Sequence, residues 1–106
     1  MPDGQDPEAI FRSLTSRFGG RLDVKLTTGP DDAPLLKASG QSFAMLHGGE
    51  LVVRLHPMRC AELVEAGRGR LFVHDGQTHE EWLVVGGLDA AEWTGHTMEA
   101  LGGTQD

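Results

Sequence analysis

Ser42-Phe43-Ala44-Met45-Leu46-His47-Gly48-Gly49-Glu50-Leu51-Val52-Val53-Arg54-Leu55-His56-Pro57 is the stretch that decides the fold. Two apolar runs of strand length flank a Gly-Gly pair, and paired glycines supply the positive φ angles that a tight hairpin turn requires. The runs therefore read as antiparallel strands, with His47 placed near Glu50 across the turn. His56-Pro57 closes the second strand and opens a helix, since proline's fixed φ suits a first helical turn. Cys60, Leu63 and Val64 give that helix an apolar stripe, and Ala66-Gly67 ends it as a left-handed cap would.

Upstream, the chain reads as strand from Leu35 to Ala38, which leads into a turn at Ser39-Gly40-Gln41. Thr28 to Pro34 is a loop by composition, and Arg21 to Leu26 alternates polar and apolar residues as a half-buried strand does. The chain begins with a helix capped by Asp6, with Pro7 at its first position. Ile10, Phe11, Leu14 and Phe18 recur at helical spacing, and Gly19-Gly20 stops it. Downstream, Arg70 to His74 is a strand, Asp75-Gly76 begins a turn, and Glu81 to Val85 is a further strand. Asp89 and Glu92 have capping-box spacing ahead of a helix whose inward stripe is Trp93, Thr97, Ala100 and Leu101. Gly102-Gly103 is expected to end that helix. Residues 1–5 and 103–106 read as flexible tails. The expected order is α-β-β-β-α-β-β-α: a two-layer α+β fold with a five-stranded, mainly antiparallel sheet and helices on one face. Both tryptophans, Trp82 and Trp93, read as core anchors, and residues 1–106 as one domain.

Composition narrows function by exclusion. The 106 residues are 39% hydrophobic and 24% charged, a globular balance. Nine basic residues against sixteen acidic give a net charge of −7, which opposes non-specific DNA binding, because that is driven by phosphate neutralisation. One cysteine cannot make an internal disulfide or a cysteine-rich zinc site. No apolar run reaches membrane-span length, and the acidic start is unlike a signal peptide, so a cytoplasmic location without membrane association is expected.

A further pattern runs through Leu36-Lys37-x-x-Gly40-x-x-Phe43-Ala44-Met45-Leu46, Gly49-x-Leu51-Val52-Val53-Arg54-Leu55-x-Pro57 and Glu62-Leu63-x-x-x-Gly67-x-Gly69. It resembles the N-terminal domain of the TfoX/Sxy family, which is related in architecture to YjbR-type domains. Phe72, Trp82-x-Val84 and Trp93 extend the resemblance, which spans roughly residues 35–101. The family's Met-Phe-Gly is replaced here by Asp31-Asp32-Ala33-Pro34, and its lysine after the turn glycine by Gln41. The resemblance implies the same α-β(3)-α-β(2)-α order and a role in regulating competence genes alongside another transcription factor.

Chemistry-bearing residues are few. His74 and His79 flank a turn with carboxylates beside it, a set capable of binding zinc or nickel, against the plainer reading of a solvated polar turn. His47 and His56 are not expected to meet, and His56 reads as serving the start of the helix. Cys60 lies in a first helical turn, where a dipole lowers a thiol's pKa, but its apolar stripe makes it a buried small hydrophobe. Phe43 and Phe72 sit in apolar strands and read as core rather than as base-stacking platforms. Lys37, Arg54, Arg68 and Arg70 are the informative cations. Lys37 and Arg54 are expected on adjacent strands, forming a cationic spot if both face outward; the competing reading is ordinary solvating charge. No nucleophile triad, phosphate loop or dinucleotide fingerprint is present, so neither an enzyme activity nor a cofactor is expected.

These readings favour a non-catalytic interaction module that binds a protein partner through its sheet face or edge, with a homodimer as a variant of the same idea. The alternative is a small-molecule or anion sensor, with Lys37 and Arg54 anchoring a ligand at an apolar pocket beneath the helices.

Overall fold

The hairpin at Gly48-Gly49 forms as its sequence dictates. Both glycines have positive φ (61° and 80°), and His47 pairs with Glu50. The computed structural model describes residues 7–18, 24–29, 32–38, 40–85 and 90–104. These form α1 (Pro7–Phe18), β1 (Val24–Thr28), β2 (Pro34–Ala38), β3 (Gln41–His47), β4 (Glu50–Arg54), α2 (Pro57–Glu65), β5 (Gly69–His74), β6 (Gln77–Val85) and α3 (Ala90–Thr104). The architecture is α+β, with every strand pair antiparallel in the order β1-β2-β3-β4-β6-β5.

The sheet has six strands rather than the expected five, and four of them precede α2. The difference lies in the count ahead of α2: Leu35 to Ala38, read as strand but not counted apart in the expected order, is a strand of its own. Gly40, at φ 82°, turns the chain so tightly that Ala38 pairs with Gln41, which sets this strand between β1 and β3. The three-plus-two strand order implied by the TfoX resemblance is departed from in the same place. The turn expected to follow Asp75-Gly76 is also shorter. Asp75 and Gly76 both adopt positive φ (54° and 78°), so two residues suffice and β6 starts at Gln77.

All three helices pack on one face. Ile10, Phe11, Leu14 and Phe18 of α1, Cys60 and Leu63 of α2, and Trp93, Ala100 and Leu101 of α3 join alternate sheet residues such as Leu36, Ala44, Leu51, Val53 and Leu83 in one buried cluster. Trp93 is fully enclosed, and Thr97, also fully buried, satisfies its hydroxyl by donating to the Trp93 carbonyl at 2.8 Å. Val64, expected on the buried stripe of α2, is exposed.

Helix α2 is bounded as its sequence indicates. The Met58 N–H donates to the His56 Nδ1 at 3.1 Å, making His56 the N-cap. At the other end Gly67 N–H donates to Val64 O and Arg68 N–H to Leu63 O, a Schellman closure around the positive φ of Gly67. Helix α3 runs through Gly102-Gly103 to Thr104, beyond its expected end. The caps expected at Asp6 and Asp89, and the stop at Gly19-Gly20, lie outside the described residues. No described helix is long and apolar enough to cross a membrane.

Two irregularities give the sheet its shape. Between β2 and β3 the register passes from Leu36↔Ala44 to Lys37↔Ser42, so Phe43 is an extra residue in β3. That bulge lets Phe43 and Ala44 both join the helix-side cluster and increases the local twist. Between β5 and β6 the register passes from Leu71↔Leu83 to Phe72↔His79, leaving Glu80 to Trp82 without partners in β5. There β6 bends toward β4, where Arg54 pairs with Trp82 and Leu55 N–H donates to Glu81 O.

Candidate functional site

No described helix covers the opposite face of the sheet, yet that face has its own buried floor. Leu35, Met45, Val52, Phe72 and Val84 form a second apolar cluster, with Trp82 packed against it. Alternation along each strand places Lys37 beside Leu35, His47 beside Met45, Arg54 beside Val52, and Arg70 and His74 beside Phe72.

Curvature buries this floor. His47 is on β3 and His74 on β5, three strand spacings apart, which would separate them by ~14 Å in a flat sheet. Their ring centroids are 5.8 Å apart. Phe72 completes a triangle with them, edge-on to His47 at 5.1 Å and nearly parallel to His74 at 5.9 Å. The His79 ring approaches the same Phe72 at 5.7 Å. The sheet therefore curls into a trough with Phe72 in its floor.

Two grooves share Phe72 in their lining. One, of about 270 Å³, is lined by His47, Glu50, Val52, Arg70 and Phe72, among others. The other, of about 330 Å³, takes Thr28 and Gly29 from the β1 end, Leu35, Lys37, Ser42 and Met45 from the centre, and Phe72, His74, His79 and Trp82 from the far side. Residues of both edge strands thus wall one cavity, whose volume falls at the small end of ligand sites.

The expected cationic spot is only partly assembled. Lys37 and Arg54 share the helix-free face but not adjacent strands, because β3 runs between them. Arg54 reaches Glu81 at 3.7 Å. Arg70 is held in a two-pronged pair by Glu50, at 2.6 and 3.0 Å, and that hydrogen bonding raises its pKa further. Arg68 belongs to the helix layer, where it meets Glu92 at 3.5 Å. Three of the four candidate cations are thereby paired. Lys37 meets no carboxylate among the described residues, and its register partner on the same face is another cation, Lys25.

His74 and His79 both line the larger groove, from β5 and β6 on either side of the Asp75-Gly76 turn. Among the described residues no group of three or more histidine, cysteine or acidic side chains is arranged to hold a metal. Cys60 is fully buried, its thiol lies 3.7 Å from the Leu55 carbonyl, and burial raises its pKa. The helix dipole does not prevail there. On the helix side, a notch of about 220 Å³ among the described residues lies at the margin of α1 and β1 and is lined by neither Lys37 nor Arg54. Trp82, expected in the main core, is half-buried over the second cluster.

No family model, curated protein or solved structure matches the chain. The trough itself must carry the functional argument. Sequence reasoning missed its central residues, His47 with Phe72 and His74, because their meeting depends on strand order and curl. The available signal was the spacing of two in Met45/His47 and Phe72/His74, which puts each pair on one strand face.

Proposed function

We propose that this protein is a non-catalytic binding module that holds a small organic ligand in the trough on the helix-free face of its sheet. The observation that carries the reading is the cavity walled by both ends of the curled sheet, with an apolar floor and a rim of imidazoles and Lys37. An apolar cavity with a few convergent polar groups is the usual form of a ligand site. The absence of turnover is part of the proposal: Cys60, the strongest nucleophile by residue type, sits sealed in the main core as a thiol. The test is a titration of isotope-labelled protein with a general fragment set, followed by amide chemical shifts. Shifts clustered at Thr28, Leu35, Met45, Phe72 and His79 are expected. Shifts confined to other surfaces, or none, overturn the reading.

Protein binding at a sheet edge is the second reading, and β1 favours it. Four of its five residues are exposed, and Leu26 is 56% accessible despite its apolar side chain. An edge of this kind suits strand addition by a partner or a second copy, and the regulatory role implied by the TfoX resemblance would act through it. This reading expects a stoichiometric complex in which β1 amides are protected from exchange. Unprotected β1 amides in such a complex would overturn it.

A further inference from the structure

The larger groove has chemical character as well as volume. Four rings border it, from Phe72, His74, His79 and Trp82, and Met45 contributes a thioether. Flat faces and edges of this kind favour a planar aromatic body over an aliphatic one. The charge at its rim is lopsided. Arg54 and Arg70, on the same face, have Glu81 and Glu50, whereas Lys37 lines the groove with no carboxylate against it among the described residues and stands directly opposite Lys25. Like charges opposite one another on a sheet destabilise it, so this lysine pair does not serve the fold. An anion placed between the rings and Lys37 relieves that repulsion and gains a charge-assisted hydrogen bond.

Accepting that the trough is a ligand site, we infer that its ligand class is the small aromatic anion, a one- or two-ring carboxylate or phosphate. The ring lies against Phe72 and Trp82, and the anionic group meets the Lys37 ammonium. Ser42, the register partner of Lys37, also lines the groove and offers a hydroxyl donor on the same side.

Three probes separate ring from charge: naphthoate, its neutral counterpart naphthyl carbinol, and cyclohexane carboxylate. Affinities come from amide-shift titrations of the full chain, with spectral dispersion confirming that each variant is folded. Naphthoate is expected to shift groove amides and to bind roughly tenfold or more tightly than either other probe, the scale of one hydrogen bond to a charged group. Lys37→Gln should lower naphthoate affinity to the carbinol's level, leave carbinol affinity unchanged, and not lower the melting temperature. Lys37→Arg should restore naphthoate binding. Equal affinity for naphthoate and carbinol, undiminished naphthoate binding by Lys37→Gln, or groove binding by other fragments but not by naphthoate overturns the aromatic-anion assignment and leaves the trough a ligand site. No fragment of any class shifting groove amides overturns the trough reading itself.

Discussion

The two faces of this sheet are built from the same strands and solve different problems. On the helix side, aromatic and aliphatic residues from three helices and five strands merge into one continuous cluster, and its buried hydroxyl, on Thr97, has a local acceptor. On the other side five apolar residues form a floor with no described helix above it, enclosed by curvature and by imidazole, lysine and tryptophan side chains. Covering a face with helices gives dense packing and stability; curling a face gives a partly dry cavity with polar groups at its rim. On the function proposed above, stability and binding fall on opposite sides of one layer.

That division can be broken by measurement. The largest effect is expected from Trp93→Ala. Full burial beneath the helices should make it cost about 3–5 kcal/mol in a denaturant titration, and a loss under ~1 kcal/mol would show that the last helix is not part of the stabilising face. Met45→Ala, on the floor of the trough, should cost about 2 kcal/mol, the lower end for a buried methionine, because the vacated space opens to the groove. A cost equal to that of Trp93→Ala would erase the distinction between the faces.

Smaller effects sharpen it. Burial raises the Cys60 pKa, so the folded state holds its thiol proton where the unfolded chain releases it. Its contribution to stability is present below the ordinary thiol pKa of ~8.5 and is lost as pH rises beyond it. Cys60→Ala should flatten that alkaline decline, and alkylation of native Cys60 at neutral pH should be far slower than in denaturant. Rapid alkylation of the native protein would place Cys60 outside the sealed face. The smallest change is expected for Arg70→Ala. Its pair with Glu50 is well oriented but largely solvent-exposed, so a double-mutant cycle should give less than ~1 kcal/mol. A larger coupling would make the trough rim a stabilising element in its own right.

The helix side was largely legible in the sequence, and the trough was not. Ile10, Phe11, Leu14 and Phe18, like Trp93, Thr97, Ala100 and Leu101, declare a buried helical stripe by spacing alone, and all eight are buried. The Gly48-Gly49 turn and the His56 cap are local chemistry and could be read locally. The trough depends on facts with no local signature. Phe43 as an extra residue in β3, β6 between β4 and β5, and a curl that brings His47 to His74 are all products of tertiary pairing. The same gap explains the cations: Lys37 and Arg54 were read from residue type, but the carboxylates that pair with arginine come from other strands or the far side of a bulge.

The strand order also sets when the trough comes into being. The first four strands form a run of sequence neighbours, whose short connections close quickly. Strand β6 must instead seat its Val85 opposite Leu51, across the whole of α2 and β5, before β4 has a neighbour on its outer side. Until that hairpin docks, Leu51-Val52-Val53 is an open apolar edge, the kind that pairs with another copy of the chain and leads to swapping or aggregation. The trough floor takes Val52 from β4, Phe72 from β5 and Val84 from β6, so it does not exist before docking. A ligand that fills it acts on the last step of assembly, and so competes directly with misassembly.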